Sequence, residues 1–156
     1  MDGLDPVYEV KGRDGYYCRE EFGNEKSKNV VWKTRSNGYR LPTDAEWEWA
    51  ARGGRNSQGY TFAGSNNLND VGWYSVNSGG AAHAVGEKAA NELGLFDMSG
   101  NVWEWCWDLD ASSCVLSQHR LRGGCWRHRA DDCAVLNHSF SIPTDSSYGL
   151  RLSRSL

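Results

Sequence analysis

Cysteine side chains are the residues of this chain best suited to metal or redox chemistry, and their spacing limits which chemistry is available. None of the five cysteines forms a CxxC pair, which argues against a zinc site. Because the number is odd, at least one thiol is free or pairs between molecules. The cysteines are Cys18, Cys106, Cys114, Cys125 and Cys133.

A C-terminal run of mixed chemistry holds two of these cysteines. Glycine-containing ends bracket it, at Arg122-Gly123-Gly124 and at Gly149-Leu150-Arg151-Leu152. Between them polar, cationic, aromatic and aliphatic residues follow one another with neither helical nor strand periodicity. This pattern is typical of an exposed loop surface that a scaffold holds in place, where binding and catalysis usually occur.

Three residues inside this run could carry acid–base chemistry. His128 could serve as a general base, but spacing fixes no partner for it. The alternative is that His128 is simply one exposed residue of the run. Asp131 and Asp132 are adjacent carboxylates, which in a loop are typical of a solvated turn.

Length, composition and charge restrict the class of protein. The chain has 156 residues, 39% of them hydrophobic and 24% charged, which predicts a single domain over residues 1–156. A net charge of −3 gives no broad electrostatic case for nucleic acid. No apolar run approaches membrane-spanning length. The N-terminal residues are acidic and lack an apolar stretch, which predicts that they are not a secretory signal.

The clearest local signal is a helix start. Thr43 with Glu46 three residues later forms a capping box, and good helix formers follow up to residue 52. Gly53 and Gly54 end the helix. Its core face is predicted to contain Trp47, Ala50 and Ala51.

Strand patterns occur at residues 7–10, at 29–32 and after a Ser-Gly-Asn turn. After that turn the residues alternate with period two, which predicts a strand whose core face is rich in Trp. One face carries Trp103, Trp105 and Trp107, and the other carries Glu104, Cys106 and Asp108.

Several motifs occur in order between about residues 38 and 152. They are Gly38-Tyr39-Arg40-Leu41-Pro42-Thr43 with Glu46-Trp47-Glu48, Ala50-Ala51-Arg52-Gly53-Gly54, Leu93-Gly94-Leu95-Phe96-Asp97-Met98 with Gly100-Asn101-Val102-Trp103-Glu104-Trp105, Arg122-Gly123-Gly124 and Gly149-Leu150-Arg151. Together they resemble the formylglycine-generating enzyme (sulfatase-modifying factor) family. The resemblance implies an α+β, C-type-lectin-like fold that is loop-rich, with small antiparallel sheets and two helices.

The oxidase activity of that family implies a pair of cysteines that bind copper. Cys133 matches the second of them, but His128 stands where the first would be, five residues earlier. A pair of thiolates suits Cu(I), whereas one thiolate and one imidazole would make a different site. A copper-dependent oxidoreductase is therefore the alternative function. Because the cysteine pair is incomplete, we do not expect copper to bind. Cys133 is otherwise a small buried residue or a partner of Cys106.

A second branch of this fold gives a better match. The C-terminal run resembles the variable segments of diversity-generating retroelement proteins, through Gly123-Gly124-Cys125-Trp126, Ala130-Asp131-Asp132-Cys133, Asn137 and the closing Gly149-Leu150-Arg151-Leu152. Adenine mutagenesis of an Asn codon cannot produce Glu, Lys, Gln, Met or Trp. Residues 127–156 contain none of these five types.

The resemblance implies a non-catalytic protein whose ligand-binding segment spans about residues 122–150, here named the 122–150 segment. Amphipathic anchors and adaptable polar side chains on a stable base have the physical logic of a paratope. The expected partner is a protein or cell-surface ligand. Phe140 and Ile142 have an alternative role as plugs of the core. The candidate ligand-binding residues are Trp126, Arg127, His128, Arg129, Asp132, His138, Phe140, Ile142, Ser147 and Tyr148.

The resemblance also implies a structural Ca²⁺ site at the Ser-Gly-Asn turn. Its ligands would be the carboxylates of Asp97 and Glu104 and the carbonyl groups of Gly100 and Val102. Ca²⁺ prefers such oxygen donors. The alternative is a plain turn with Asp97 as a local hydrogen-bond acceptor.

Overall fold

The chain forms two compact units, residues 1–40 with 152–156 and residues 41–151. The structure is a computed structural model that describes residues 3–11, 18–19, 26–27, 29–109, 118–141 and 146–154. No helix within these ranges is long and apolar enough to cross a membrane.

The described residues of the first unit form antiparallel pairs of short strands. The strands expected at residues 7–10 and 29–32 are confirmed, and the structure shows that they pair with each other. The pairs are β1 (Tyr8–Lys11) with β4 (Asn29–Trp32), β2 (Cys18–Arg19) with β3 (Lys26–Ser27), and β5 (Tyr39–Arg40) with β10 (Ser153–Arg154).

The second unit holds both described α-helices and a four-stranded sheet. Its elements are α1 (Asp44–Ala51), α2 (Leu68–Val71), β6 (Trp103–Leu109), β7 (His119–Arg122), β8 (His138–Ser141) and β9 (Tyr148–Gly149). The sheet order is β8-β7-β6-β9, in which β6 and β9 are parallel and the other pairs antiparallel. The predicted α+β class with small sheets and two helices is confirmed.

Helix α1 forms as its sequence predicts. The Thr43 side chain accepts from the backbone N–H of Glu46, and the Glu46 carboxylate accepts from the backbone N–H of Thr43. Gly53 follows the helix with φ 86°, a left-handed conformation that Gly adopts without strain. Trp47 and Ala51 are buried in a core cluster that also includes Met98, and Ala50 packs against that cluster.

Both faces of β6 pack in the core, and on the predicted Trp face Trp103 forms a buried cluster with Leu121 and Cys125. Glu104 and Cys106 are buried, and Cys106 belongs to the same cluster as Trp47, so the face opposite the Trp residues packs against α1. On the Trp face only Trp103 is buried, whereas Trp105 is half-buried. Hydrophobicity missed the buried face of Glu104 and Cys106, because a buried carboxylate is tolerated where hydrogen-bond partners meet it.

The absence of periodicity between residues 125 and 148 was also misleading. A 3₁₀ helix covers Ala130–Cys133, and β8 pairs along its whole length with β7. A strand of four residues is too short to produce a recognisable alternation.

Candidate functional site

The N-terminal end of the 122–150 segment is fixed by a buried guanidinium. Arg122 is 2% exposed and donates to both carboxylate oxygens of Asp44 and to Glu48 Oε2. Its Nη1 also donates to the carbonyl oxygens of Val135 and Asn137, at 3.2 Å each. One scaffold arginine therefore holds helix α1 and the middle of the segment together.

Asp44 is the acceptor on which this end depends. Burial alone would raise the pKa of its carboxyl, but hydrogen bonds and charge from Arg122 and Arg120 hold that pKa below its ordinary value. Arg120 Nη1 lies 2.6 Å from Asp44 Oδ2. Asp44 is thus a carboxylate throughout the neutral range and neutralises part of the charge of β7.

The C-terminal end is fixed by a second arginine–carboxylate pair. Arg151 donates through Nε to Glu104 Oε2 at 2.8 Å and through Nη2 to Oε1 at 2.7 Å. The same Nη2 reaches the carbonyl oxygen of Phe96. Glu104 is 5% exposed, so this pair is largely removed from water.

The turn that follows Gly124 is held through its backbone. The N–H of Trp126 donates to the carbonyl oxygen of Asn101 at 2.8 Å, and the carbonyl of Trp126 accepts from Ser78 Oγ at 2.8 Å. The carbonyl of His128 accepts from the N–H of Ser75 at 3.0 Å. Trp126 is half-buried, whereas Arg127 is exposed. Three of the groups that hold this turn, from Asn101, Ser78 and Ser75, therefore lie outside it.

His128 is a fixed structural acceptor rather than an open part of the surface. Its Nδ1 accepts from Trp103 Nε1 at 2.9 Å and lies 3.2 Å from Cys125 Sγ. Because Nδ1 accepts, a neutral ring carries its proton on Nε2. The rings of Trp103 and His128 meet edge to face at 5.4 Å.

The two adjacent aspartates have the local role of a turn. Asp132 is half-buried, and its Oδ2 accepts from the backbone N–H of Arg129 at 3.2 Å. The backbone N–H of Asp132 returns a bond to the carbonyl of Arg129 at 3.1 Å. Asp131 and the Arg129 side chain are exposed. Asp132 thus stabilises the 3₁₀ helix, and Arg129 is the surface group of this stretch.

His138 and Phe140 of β8 lie on the sheet face that α1 covers. The register pairs Arg122 with Glu104 and with His138, and Arg120 with Phe140, so these side chains share one face. The Arg120 guanidinium lies 5.6 Å from the Phe140 ring centre. His138 is exposed and meets Phe140 edge to face at 5.3 Å. Ile142 lies outside the described residues.

Tyr148 and Ser147 have separate environments. Tyr148 pairs with Trp103 and is half-buried on the opposite, Trp-rich face, where Trp126 also packs. Ser147 is fully buried, and its carbonyl accepts from the Trp103 N–H. Ser147, one of the candidate ligand-binding residues, is therefore enclosed immediately before β9.

The candidate ligand-binding residues therefore divide between two faces. Trp126 and Tyr148 lie with the Trp face of β6, while His138 and Phe140 lie with the α1 face. A sequence pattern without visible strands could not separate them. Sequence reasoning also missed Asn101, whose side chain bonds the N–H and the carbonyl of His83 while its backbone anchors Trp126.

The three cysteines whose side chains the structure describes are thiols in the core. Cys106, Cys125 and Cys133 are buried and free, so the expected alternative of a Cys106–Cys133 pair is wrong. Cys106 and Cys133 belong to different core clusters. Burial raises the pKa of both thiols to about 12. Neither thiol ionises at neutral pH in this environment, which agrees with the role of a small buried residue.

The residues expected to hold Ca²⁺ partly retain free acceptor capacity. Asp97 is 7% exposed, and its Oδ2 accepts from the N–H of Gly86 at 2.7 Å, while its Oδ1 is buried without a partner. Glu104 accepts from Trp47 and Arg151, which still leaves a lone pair on Oε1. An orphaned carboxylate oxygen fits a hard cation, because Ca²⁺ prefers oxygen donors.

Comparison with known proteins identifies the family. The model of the sulfatase-modifying factor enzyme 1-like domain matches residues 3–156. The chaperone protein LppX of Paenibacillus barcinonensis is 44% identical over 128 residues, covering 69% of this chain and 44% of the relative. The inactive C-alpha-formylglycine-generating enzyme 2 of Bos taurus is 35% identical over 131 residues, covering 78% of this chain and 41% of the relative.

A solved structure gives the same result for the fold. Variable protein 1 of Treponema denticola superimposes with a TM-score of 0.78 and 34% identity, covering 96% of this chain and 62% of that protein. The chain thus spans less than half of these two curated relatives and under two thirds of the solved structure. Relatives include proteins named as formylglycine-generating enzymes and as inactive ones. The chain belongs to the sulfatase-modifying factor enzyme 1-like domain family and has its C-type-lectin-like fold.

Proposed function

We propose that this domain is a non-catalytic ligand-binding protein whose 122–150 segment displays a retroelement-diversified surface. The observation that carries the proposal is the anchoring of the turn. Asn101, Ser78 and Ser75, all outside the segment, bond the backbone of residues 126–128. A backbone held in this way keeps its shape when the exposed side chains at 127 and 129 change. That independence is what a surface that varies between sister proteins requires.

Two further observations support the proposal. The likeness to variable protein 1 of Treponema denticola extends over 96% of this chain. Residues 127–156 also lack the five amino-acid types that adenine mutagenesis of an Asn codon cannot generate. Both observations favour a diversified binding surface over catalysis as the function of the segment.

The proposed partner is a protein or cell-surface ligand. Arg127 and Arg129 are exposed, and Trp126 and Tyr148 are half-buried. Trp, Tyr and Arg are the residues that most often dominate the energetics of protein interfaces. They combine apolar area with directional hydrogen bonds, which suits a protein surface.

The decisive test is genomic. We expect a near-identical copy of the 3′ coding segment next to a reverse-transcriptase gene, with differences concentrated at adenines. Among sister sequences, positions 127, 129 and 138 should vary, because these side chains are exposed. Position 122 should stay fixed because Arg122 is buried in the scaffold. A genome that contains no such copy would contradict the proposal.

The oxidase alternative receives less support from the site. His128 Nδ1 already accepts from Trp103, and Cys133 packs with Phe62 and Leu68 in an apolar cluster. We expect no aldehyde when the protein is mixed with Cu(I), oxygen and a cysteine-containing peptide. Aldehyde formation that is lost in Cys133→Ser would establish the oxidase instead.

The proposal includes a structural Ca²⁺ held by Asp97, Gly100, Val102 and Glu104. The buried, unpartnered Oδ1 of Asp97 supports it. Such an ion would neutralise that carboxylate and stabilise the turn that leads into β6.

A further inference from the structure

Three aromatic side chains meet on the Trp face of the four-stranded sheet, namely Trp105, His119 and Tyr148, and they are here named the aromatic trough. Trp105 lies on β6, between β7 and β9. The ring of His119 from β7 lies 5.7 Å from the Trp105 ring at an interplanar angle of 75°. The ring of Tyr148 from β9 lies 5.9 Å away at 78°. Two rings therefore stand nearly perpendicular to the indole, one on each side. All three side chains are half-buried, so each keeps an accessible part.

The orientation of His119 adds a polar group to this aromatic trough. Its Nδ1 lies 3.1 Å from the carbonyl oxygen of Cys106. A carbonyl oxygen only accepts hydrogen bonds, so Nδ1 carries the proton. The neutral ring then has an unprotonated Nε2, which is a hydrogen-bond acceptor. The trough thus combines π faces with one acceptor nitrogen.

The carboxylates of β6 lie on the opposite face of the sheet. Glu104 meets Trp47 and Arg151 there, and Asp108 accepts from the backbone N–H of Asp44. Attraction of a cation to the trough would therefore come from ring quadrupoles and Nε2, not from a salt bridge. Ring faces attract an ammonium group or its alkylated forms, and the attraction grows when the site is partly desolvated.

We propose that the aromatic trough of Trp105, His119 and Tyr148 binds a lysine side chain presented by a partner protein. The inference rests on the proposed function, because it names the partner chemistry of the same surface. Two walls, Trp105 and His119, lie outside the 122–150 segment, and Tyr148 lies inside it. The fixed walls supply a general cation site, and the residue at position 148 adjusts it in each sister protein.

The test uses Nα-acetyl-lysine methylamide as the probe and Nα-acetyl-norleucine methylamide as its neutral counterpart. Binding is followed through the indole N–H signal of Trp105 in NMR spectra, assigned with Trp105→Phe. We expect the lysine probe to shift this signal and to bind roughly fivefold more tightly than the norleucine probe. Equal binding of the two probes, or no shift of the Trp105 signal with either, would overturn the proposal.

Two single variants test the contributions of the His119 Nε2 atom and of the Tyr148 ring. His119→Phe retains a ring but removes Nε2, and Tyr148→Leu removes one wall; each should weaken the lysine probe roughly two- to fivefold. Trp49→Phe is the matched control, because Trp49 is 55% exposed on α1. Thermal melting checks that each variant is folded. Unchanged binding in folded His119→Phe and Tyr148→Leu contradicts the trough.

The lysine site and the proposed function can be refuted independently of each other. Lysine binding in the trough without a genomic repeat would sustain the site and remove the retroelement role. A genomic repeat with no lysine binding would support the retroelement role and refute the lysine site.

Discussion

Trp47 Nε1 donates a 2.7 Å hydrogen bond to Glu104 Oε2, the same oxygen that accepts from Arg151 Nε. The Arg122 guanidinium lies 5.9 Å from the ring of the same Trp47. One indole in helix α1 therefore contacts both arginine–carboxylate pairs that fix the ends of the 122–150 segment. Helix α1 therefore links the two ends through one side chain.

Replacing Trp47 with Phe should be costly. The substitution removes the donor to Glu104 and shrinks a side chain that is 1% exposed. We expect a loss of about 2–4 kcal/mol in the free energy of unfolding, from the unmet acceptor and the cavity together. Urea denaturation measures it. Trp49→Phe, on the exposed side of the same helix, should stay within about 0.5 kcal/mol. Similar losses in both variants would contradict the role given to Trp47.

Asp44 should make stability depend on acid pH. Its folded-state pKa is lowered, so its contribution is complete above the ordinary pKa and is lost as the pH falls through the lowered one. The stability difference between the wild type and Asp44→Asn should therefore be large at neutral pH and shrink in acid. Chemical denaturation at a series of pH values measures this difference. A difference that is constant with pH would show that Asp44 acts without its charge.

Gly124 should tolerate no side chain. Its φ is 73°, and an added Cβ would lie 2.5 Å from Cys133 Sγ and 2.8 Å from Cys133 Cα. We expect Gly124→Ala to cost about 2–4 kcal/mol, from left-handed strain and overpacking together. Gly94→Ala provides the control, because Gly94 has φ 75° but open space around it. It should cost only the strain, about 1–2 kcal/mol. Equal melting temperatures for the two variants would refute the steric argument.

Local sequence was enough to predict helix α1, but it was not enough to predict which strand faces are buried. The capping box at Thr43 and Glu46 is a local code, so α1 was predictable to within a residue at each end. The deeply buried face of β6 was not predictable, because Glu104 is buried only where Trp47 and Arg151 meet it, 57 and 47 residues away. The division of Tyr148 and Phe140 between two faces depends in the same way on strand register, which non-local pairing decides.

Substitutions at adjacent positions of the turn should differ sharply in their effect on stability. Arg127→Ala changes an exposed side chain and should alter stability by less than about 0.5 kcal/mol. His128→Ala leaves the indole N–H of Trp103 without its acceptor and should cost about 1–3 kcal/mol. Differential scanning fluorimetry of the two adjacent variants tests this. Equal destabilisation would mean that the backbone anchors do not isolate the exposed positions.

Calcium should stabilise the fold through Asp97. Millimolar Ca²⁺ is expected to raise the melting temperature of the wild type, and a chelator should reverse the increase. Asp97→Asn should abolish the response while keeping the backbone, since Asn tolerates the φ of 57° found there. Asp70→Asn, at an exposed carboxylate of α2, should respond like the wild type. A wild-type protein indifferent to Ca²⁺ would exclude the site.

Under the proposed function, the backbone anchoring of residues 126–128 has a consequence for how sister proteins would search for ligands. Because Asn101, Ser78 and Ser75 supply the bonds, the conformation of the turn is inherited from the scaffold with every new version of the gene. Most random exchanges at positions 127 and 129 then yield a folded molecule, so little of a mutated population is lost to misfolding. The size of the usable repertoire is set by the number of exposed positions rather than by the stability margin of the domain.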